Sequence, residues 1–120
     1  PPSVKKKYLT AGSGDTVRSR SITGKPARML RTEWTELWEN PDNPDPLPMP
    51  LQPMLVGKAL ARVLQKAETE GSDAQRLATY FVGQVVGSMN TVRPAGRVVL
   101  DMVEEYIEAF ERLTALTMQD

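Results

Sequence analysis

At 120 residues, with 40% hydrophobic and 25% charged residues, the chain has the size and make-up of one soluble globular domain, and its formal net charge is zero. It has no cysteine and no histidine, which excludes a disulfide framework, a thiolate nucleophile or metal site, and an imidazole base. Its 2 Phe, 2 Trp and 3 Tyr, set against 10 Pro and 8 Gly, are modest material for a self-sufficient core, so a larger partner surface is expected.

Residues 1–14 offer one short helix, Val4 to Thr10, followed by a flexible Ala-Gly-Ser-Gly break. No apolar run approaches the roughly 20 residues that span a bilayer. The N-terminal stretch also lacks a signal-peptide core, so a cytoplasmic location and no membrane partner are expected. Residues 1–32 hold 8 Lys and Arg against 1 acidic residue. Lys5, Lys6 and Lys7 read as a solvated run with Tyr8 as their only aromatic neighbour, too little stacking surface for RNA recognition, and no nucleic-acid partner is expected. Residues 16–22, TVRSRSI, alternate Arg with Ser between β-branched ends, which predicts a short edge strand or extended segment.

Thr23 or Gly24 stands where a helix cap belongs, and Pro26 suits a first helical turn because its fixed φ fits there. A helix is therefore predicted over residues 26–38, with Ala27, Leu30, Trp34 and Leu37 on one face. Five prolines in residues 40–50 make an extended connector, read as a rigid strap between helices. A second helix is predicted over residues 53–70, with Lys66 and Glu70 as an i,i+4 pair. Ser72 or Asp73 should cap a third over residues 73–85, although TYFVGQVVGSMN would also suit a strand. Gly83 and Gly87 are spaced for close approach between helices. The last helix is predicted over residues 94–115. There Val98, Val99, Met102, Val103, Tyr106, Ile107, Phe110 and Leu113 trace an apolar stripe opposite Asp101, Glu104, Glu105, Glu108 and Glu111. The fold class is mainly α, with four helices and no parallel sheet.

Three stretches together resemble the nitronate monooxygenases, formerly called 2-nitropropane dioxygenases. Asp15-Thr16-Val17, Thr23-Gly24-Lys25-Pro26-Ala27-Arg28 and Leu30-Arg31 are similar to the family's T-G-(R/K)-P-A-R-x-L-R-N segment. Gly83-Gln84, then Arg93-Pro94-Ala95 and a long amphipathic helix, are similar to its closing G-Q and P-A pattern. Thr32 departs from the usual Asn, so that residue's role does not carry over.

The resemblance implies an FMN-dependent (β/α)8 barrel enzyme that oxidises small alkyl nitronates with dioxygen. Such a barrel takes roughly 250 residues, so this chain would be the helical C-terminal cap segment, with the barrel itself absent. Residues 1–14 would be the truncated end of a barrel helix, and residues 15–120 the cap region. A first residue Pro1, with no initiator Met, is expected of a boundary cut within a longer protein. The flavin phosphate site and a His base would lie upstream. No catalytic residue, no metal and no bound FMN are expected in this piece, whose partners would be the missing N-terminal barrel or, without it, further copies of the piece. Gly83 and Gln84 are the candidate flavin-side residues, and Tyr80 a candidate near the substrate, because the resemblance places this segment at the mouth of the active site. The alternative is a free-standing helical module that binds another protein through its apolar faces.

Overall fold

A computed structural model describes residues 2–118, which form two compact units, residues 2–90 and residues 91–118, each treated by itself. The first unit opens with helix α1 (Pro2–Thr10) and a 3₁₀ turn at Ser13–Asp15. Strands β1 (Thr16–Ser19) and β2 (Ala27–Leu30) follow and pair antiparallel, with Thr16 opposite Leu30 and Val17 opposite Met29. Then come helices α2 (Glu33–Glu39), α3 (Leu51–Lys66) and α4 (Ala74–Leu77), and a second 3₁₀ turn at Gln84–Ser88. The second unit carries helix α5 (Ala95–Thr117). The chain is thus mainly helical with one small antiparallel sheet. None of its described helices is long and apolar enough to cross a membrane.

The predicted helix over residues 26–38 is corrected: its first half is β2, and only Glu33–Glu39 is helical. Pro26 fixes a φ that a strand entry accepts as readily as a helix start, and β2 gains hydrogen bonds on both edges. On one side it pairs with β1. On the other, the Leu30 N–H donates to Tyr80 O at 3.0 Å, the Val82 N–H donates to Arg28 O at 3.2 Å, and the Thr79 hydroxyl donates to Leu30 O at 2.7 Å. Residues 79–82 therefore run extended along β2, with Met29 bridged to Phe81. The predicted third helix over residues 73–85 shrinks accordingly to the single turn of α4, whose first N–H, that of Ala74, donates to Ser72 Oγ at 3.3 Å.

Thr32 precedes α2, and its N–H donates to Thr35 Oγ1 at 2.9 Å. Its own hydroxyl donates to Leu77 O at 3.3 Å, tying the start of α2 to the end of α4. Helix α3 stops at Lys66, short of Glu70, and the described residues contain no ion pair between these two. Just beyond its end the Gln75 amide donates to Ala67 O at 3.2 Å and Thr69 O at 3.0 Å.

The core of the first unit is small: Met29, Leu30, Trp34, Val56, Ala67, Ala78 and Val86. It is supplemented by a polar clasp. Gln52 is fully buried, its Nε2 donating to Ser21 O at 2.8 Å and its Oε1 accepting the Leu47 N–H at 2.9 Å. One side chain thereby joins the β1–β2 loop to the proline-rich strap, and the Ser21 carbonyl left alone would be a buried, unpaired backbone group. Gly24 sits beneath the strap with φ of +78°, where an added Cβ would lie 2.4 Å from Leu47 O and 2.6 Å from Met49 N.

In the second unit, α5 runs over 23 residues with none of them buried. Asp101 receives Arg93 Nη1 and Arg97 Nε, both at 2.6 Å, and Arg97 also reaches Glu104 at 3.2 Å. These exposed pairs lie along the first turns and contribute little stability individually.

Candidate functional site

Tyr80 is placed by backbone pairing: the carbonyl of the same residue accepts the Leu30 N–H, so the extended segment holds it beside β2. Its ring meets that of Tyr8 edge to face, with centroids 6.3 Å apart and planes at 75°. Together with Lys7, Ser3, Gln75 and Glu68, Tyr80 lines an open cleft of about 550 Å³ between α1 and the α3–α4 region.

The sequence reading missed the other half of this arrangement. Lys7, one of three consecutive lysines expected to be solvated, is half-buried and donates to Gln75 O at 2.5 Å and Ala78 O at 2.6 Å. It thus satisfies carbonyls at the end of α4 that have no partner within that helix. Tyr8 OH donates to Phe81 O at 3.0 Å. The signal was available in the spacing of Val4, Lys7, Tyr8 and Ala11, which are all half-buried and follow the i, i+3, i+4, i+7 pattern of a helix's inner face.

Burial lowers the pKa of Lys7 below the usual lysine range. Burial also raises the Tyr80 phenol, aided by the charge of Glu68 and opposed by a hydrogen bond from Ser3, and it raises Tyr8, aided by Tyr80. For a tyrosine so shifted, the unfolded phenol ionises first as pH rises, so the native state binds more protons and stability falls through the alkaline range. An alkaline titration of phenolate absorbance is expected to show a late component above the ordinary tyrosine value. Tyr8→Phe and Tyr80→Phe should each reduce it and soften the alkaline loss of stability; a component untouched by both substitutions would contradict the geometry.

Gln84 begins the 3₁₀ turn Gln84–Ser88 and is exposed. Its amide makes no hydrogen bond among the described residues, and it does not line the cleft of Tyr80. The turn itself is firmly seated: Val86 is 1% exposed, and Gly87 abuts the Ser13–Asp15 turn. A Cβ on Gly87 would lie 2.5 Å from Ser13 Oγ and 2.8 Å from Ser13 N. At Gly83 the nearest neighbour of an added Cβ is Val85 at 3.7 Å, an ordinary contact. The close approach expected of this glycine pair therefore belongs to Gly87, and it is made to a loop rather than to a helix.

The Gly12-Ser13-Gly14 turn does not fit a flavin phosphate. The Gly12 N–H already donates to the Asp15 carboxylate at 2.8 Å, so an anion is in place where a phosphate cradle would need a free donor. Among the described residues no group of three His, Cys, Asp or Glu could hold a metal ion. Two chemically distinct features result: a cleft with pinned Lys7 and a neutral Tyr80 phenol, and a fixed turn that presents one unpartnered amide.

The sequence profile of the nitronate monooxygenase family matches residues 1–105. A provisionally named monooxygenase of Mycobacterium tuberculosis is 60% identical over 119 residues, covering 99% of this chain and 32% of that protein. Among solved structures, FabK from Thermotoga maritima superposes with a TM-score of 0.65 at 29% identity, covering 96% of this chain and 34% of FabK. A point mutant of the same protein gives 0.58 at 28% identity, covering 96% and 30%. The chain spans about a third of the length of the relatives it matches.

Proposed function

Because the chain belongs to the nitronate monooxygenase family, we propose that it forms the C-terminal part of an FMN-dependent oxidoreductase that oxidises alkyl nitronates with dioxygen. The observation that carries this reading is the family match over residues 1–105 in a chain spanning only a third of its relatives' length. In this reading FMN is held by the part of the protein outside this chain, in keeping with the Gly12 N–H being already taken by Asp15. The flavin supplies the redox chemistry when bound. This chain's share is to cover the catalytic end of a barrel, limiting solvent and shaping access for a small nitronate.

Within that role Gln84 is the residue assigned to the flavin or substrate side, with Gly83 leaving its approach open. An exposed amide on a seated turn can donate one hydrogen bond and accept another without reorganising. Tyr80, as a neutral phenol beside the pinned Lys7, is the candidate nearer the substrate.

The test uses both forms of the protein. The 120-residue chain is expected to be colourless and inactive, while the full-length protein carries flavin and turns over ethyl nitronate. In the latter, Gln84→Ala should lower kcat/KM by about 0.5–1.5 kcal/mol, roughly 2- to 13-fold, the loss of one hydrogen bond. Flavin absorbance in the isolated chain would overturn the division of labour. A full-length protein without flavin would favour a helical interaction module instead, and unchanged kinetics in the variant would remove Gln84 from the site.

A further inference from the structure

We propose that Gly87 is the residue that positions Gln84, by seating the Gln84–Ser88 turn against the Ser13–Asp15 turn; this rests on the reading of Gln84 given above. The two turns come from segments far apart in sequence, Ser13–Asp15 and Gln84–Ser88, and Gly87 is where their backbones meet. A Cβ at position 87 would stand 2.5 Å from Ser13 Oγ and 2.8 Å from Ser13 N, and the second of these is backbone, which no rotamer change relieves.

The Ser13 side of the contact is braced. The Gly12 N–H donates to Asp15 Oδ2 at 2.8 Å, the Asp15 N–H donates to Gly12 O at 3.0 Å, and the Arg31 N–H, at the end of β2, donates to Asp15 O at 2.8 Å. Thr16 Oγ1 adds a bond to Ser13 O at 3.2 Å. The segment entering the second turn is held as firmly, through Lys7 on Ala78 O and Tyr8 on Phe81 O. Between these anchors the 3₁₀ turn is seated by Val86 and by the contact at Gly87 itself. Its only buried side chain is Val86, whereas Gln84 is exposed at its leading end. A side chain at position 87 therefore moves the turn, and Gln84 travels with it. By contrast, a methyl at position 83 displaces nothing.

A double-mutant cycle in the full-length flavoprotein tests this, with ethyl nitronate as substrate and flavin content and thermal midpoint as controls. Gly87→Ala is expected to lower kcat/KM by about as much as Gln84→Ala, roughly 2- to 13-fold, and Gly57→Ala, at a position with nothing within 4 Å of an added Cβ, to leave it unchanged. The Gly87→Ala/Gln84→Ala double variant should be no slower than the slower single variant, because a displaced amide and an absent one lose the same interaction. A merely structural role for Gly87 would instead give multiplying effects, and that result, or wild-type kinetics in Gly87→Ala, overturns the inference while leaving Gln84 in place. If Gln84→Ala is itself silent, the assignment of Gln84 fails and the positioning role fails with it. Should Gly87→Ala not accumulate as folded protein, Ser13→Gly, which only loosens the same contact, enters the cycle in its place: coupling to Gln84→Ala supports the inference and independence refutes it.

Discussion

Gly24→Ala is expected to destabilise the first unit by about 3–5 kcal/mol, among the largest single effects available in this chain. Two costs combine. The left-handed conformation at φ of +78° costs an alanine roughly 1–2 kcal/mol. The new Cβ must also displace backbone, since Leu47 O, Met49 N and Pro48 C lie within 2.8 Å of it. Lifting the strap would break the hydrogen bond between the Leu47 N–H and buried Gln52, leaving polar groups without partners. Gly71 separates the two costs, because it has nearly the same φ, +76°, and nothing within 4 Å of an added Cβ. Gly71→Ala should therefore cost only about 1–2 kcal/mol. Denaturant midpoints of the two variants measure the difference, and equal losses would show that the strap yields without resistance.

Gly24 also shows where sequence reading succeeds and where it stops. The Thr-Gly-Lys-Pro-Ala-Arg stretch carries part of the resemblance to the family, yet its cap and proline predict a helix start where the chain forms β2. Ala27, Leu30, Trp34 and Leu37 do keep helical spacing, but four apolar positions in eleven residues fit two strand residues followed by a short helix equally well. What decides is pairing with residues 16–19 and 79–82, which is non-local and leaves no periodic trace in residues 27–30. The same pairing draws out Thr79-Tyr80-Phe81-Val82, where the β-branched and aromatic run was a visible strand signal. Helix α1, the connector, α3 and α5 were legible because short-range spacing and proline placement determine them. Of the residues that line the cleft, Tyr80 stands out in the sequence and Lys7 does not, since three consecutive lysines mask the one that faces inward.

The isolated chain is expected to self-associate through α5, and the shape of that helix's apolar face argues that in the longer protein the rest of the polypeptide covers it. Val99, Val103, Tyr106, Phe110 and Leu113 follow the 4-3-4-3 spacing of a packing seam. Leu100 and Ile107 flank it on one side, and Met102 and Leu116 on the other. A two-stranded coiled coil would place charged residues at those flanks, so a face this wide is expected to meet a partner that embraces the helix. Tyr106, at 70% exposure, and Phe110, at 59%, lie at its centre. Tyr106→Glu combined with Phe110→Glu should convert the self-associating chain into a monomer by sedimentation, whereas Glu105→Lys on the opposite face should not. In the full-length protein the same pair of substitutions is expected to cost about 3–6 kcal/mol, at roughly 1.5–3 kcal/mol for each large side chain removed from an apolar contact. A wild-type chain that sediments as a monomer at high concentration would refute the self-association, and a full-length protein indifferent to both substitutions would show that its own polypeptide does not cover α5.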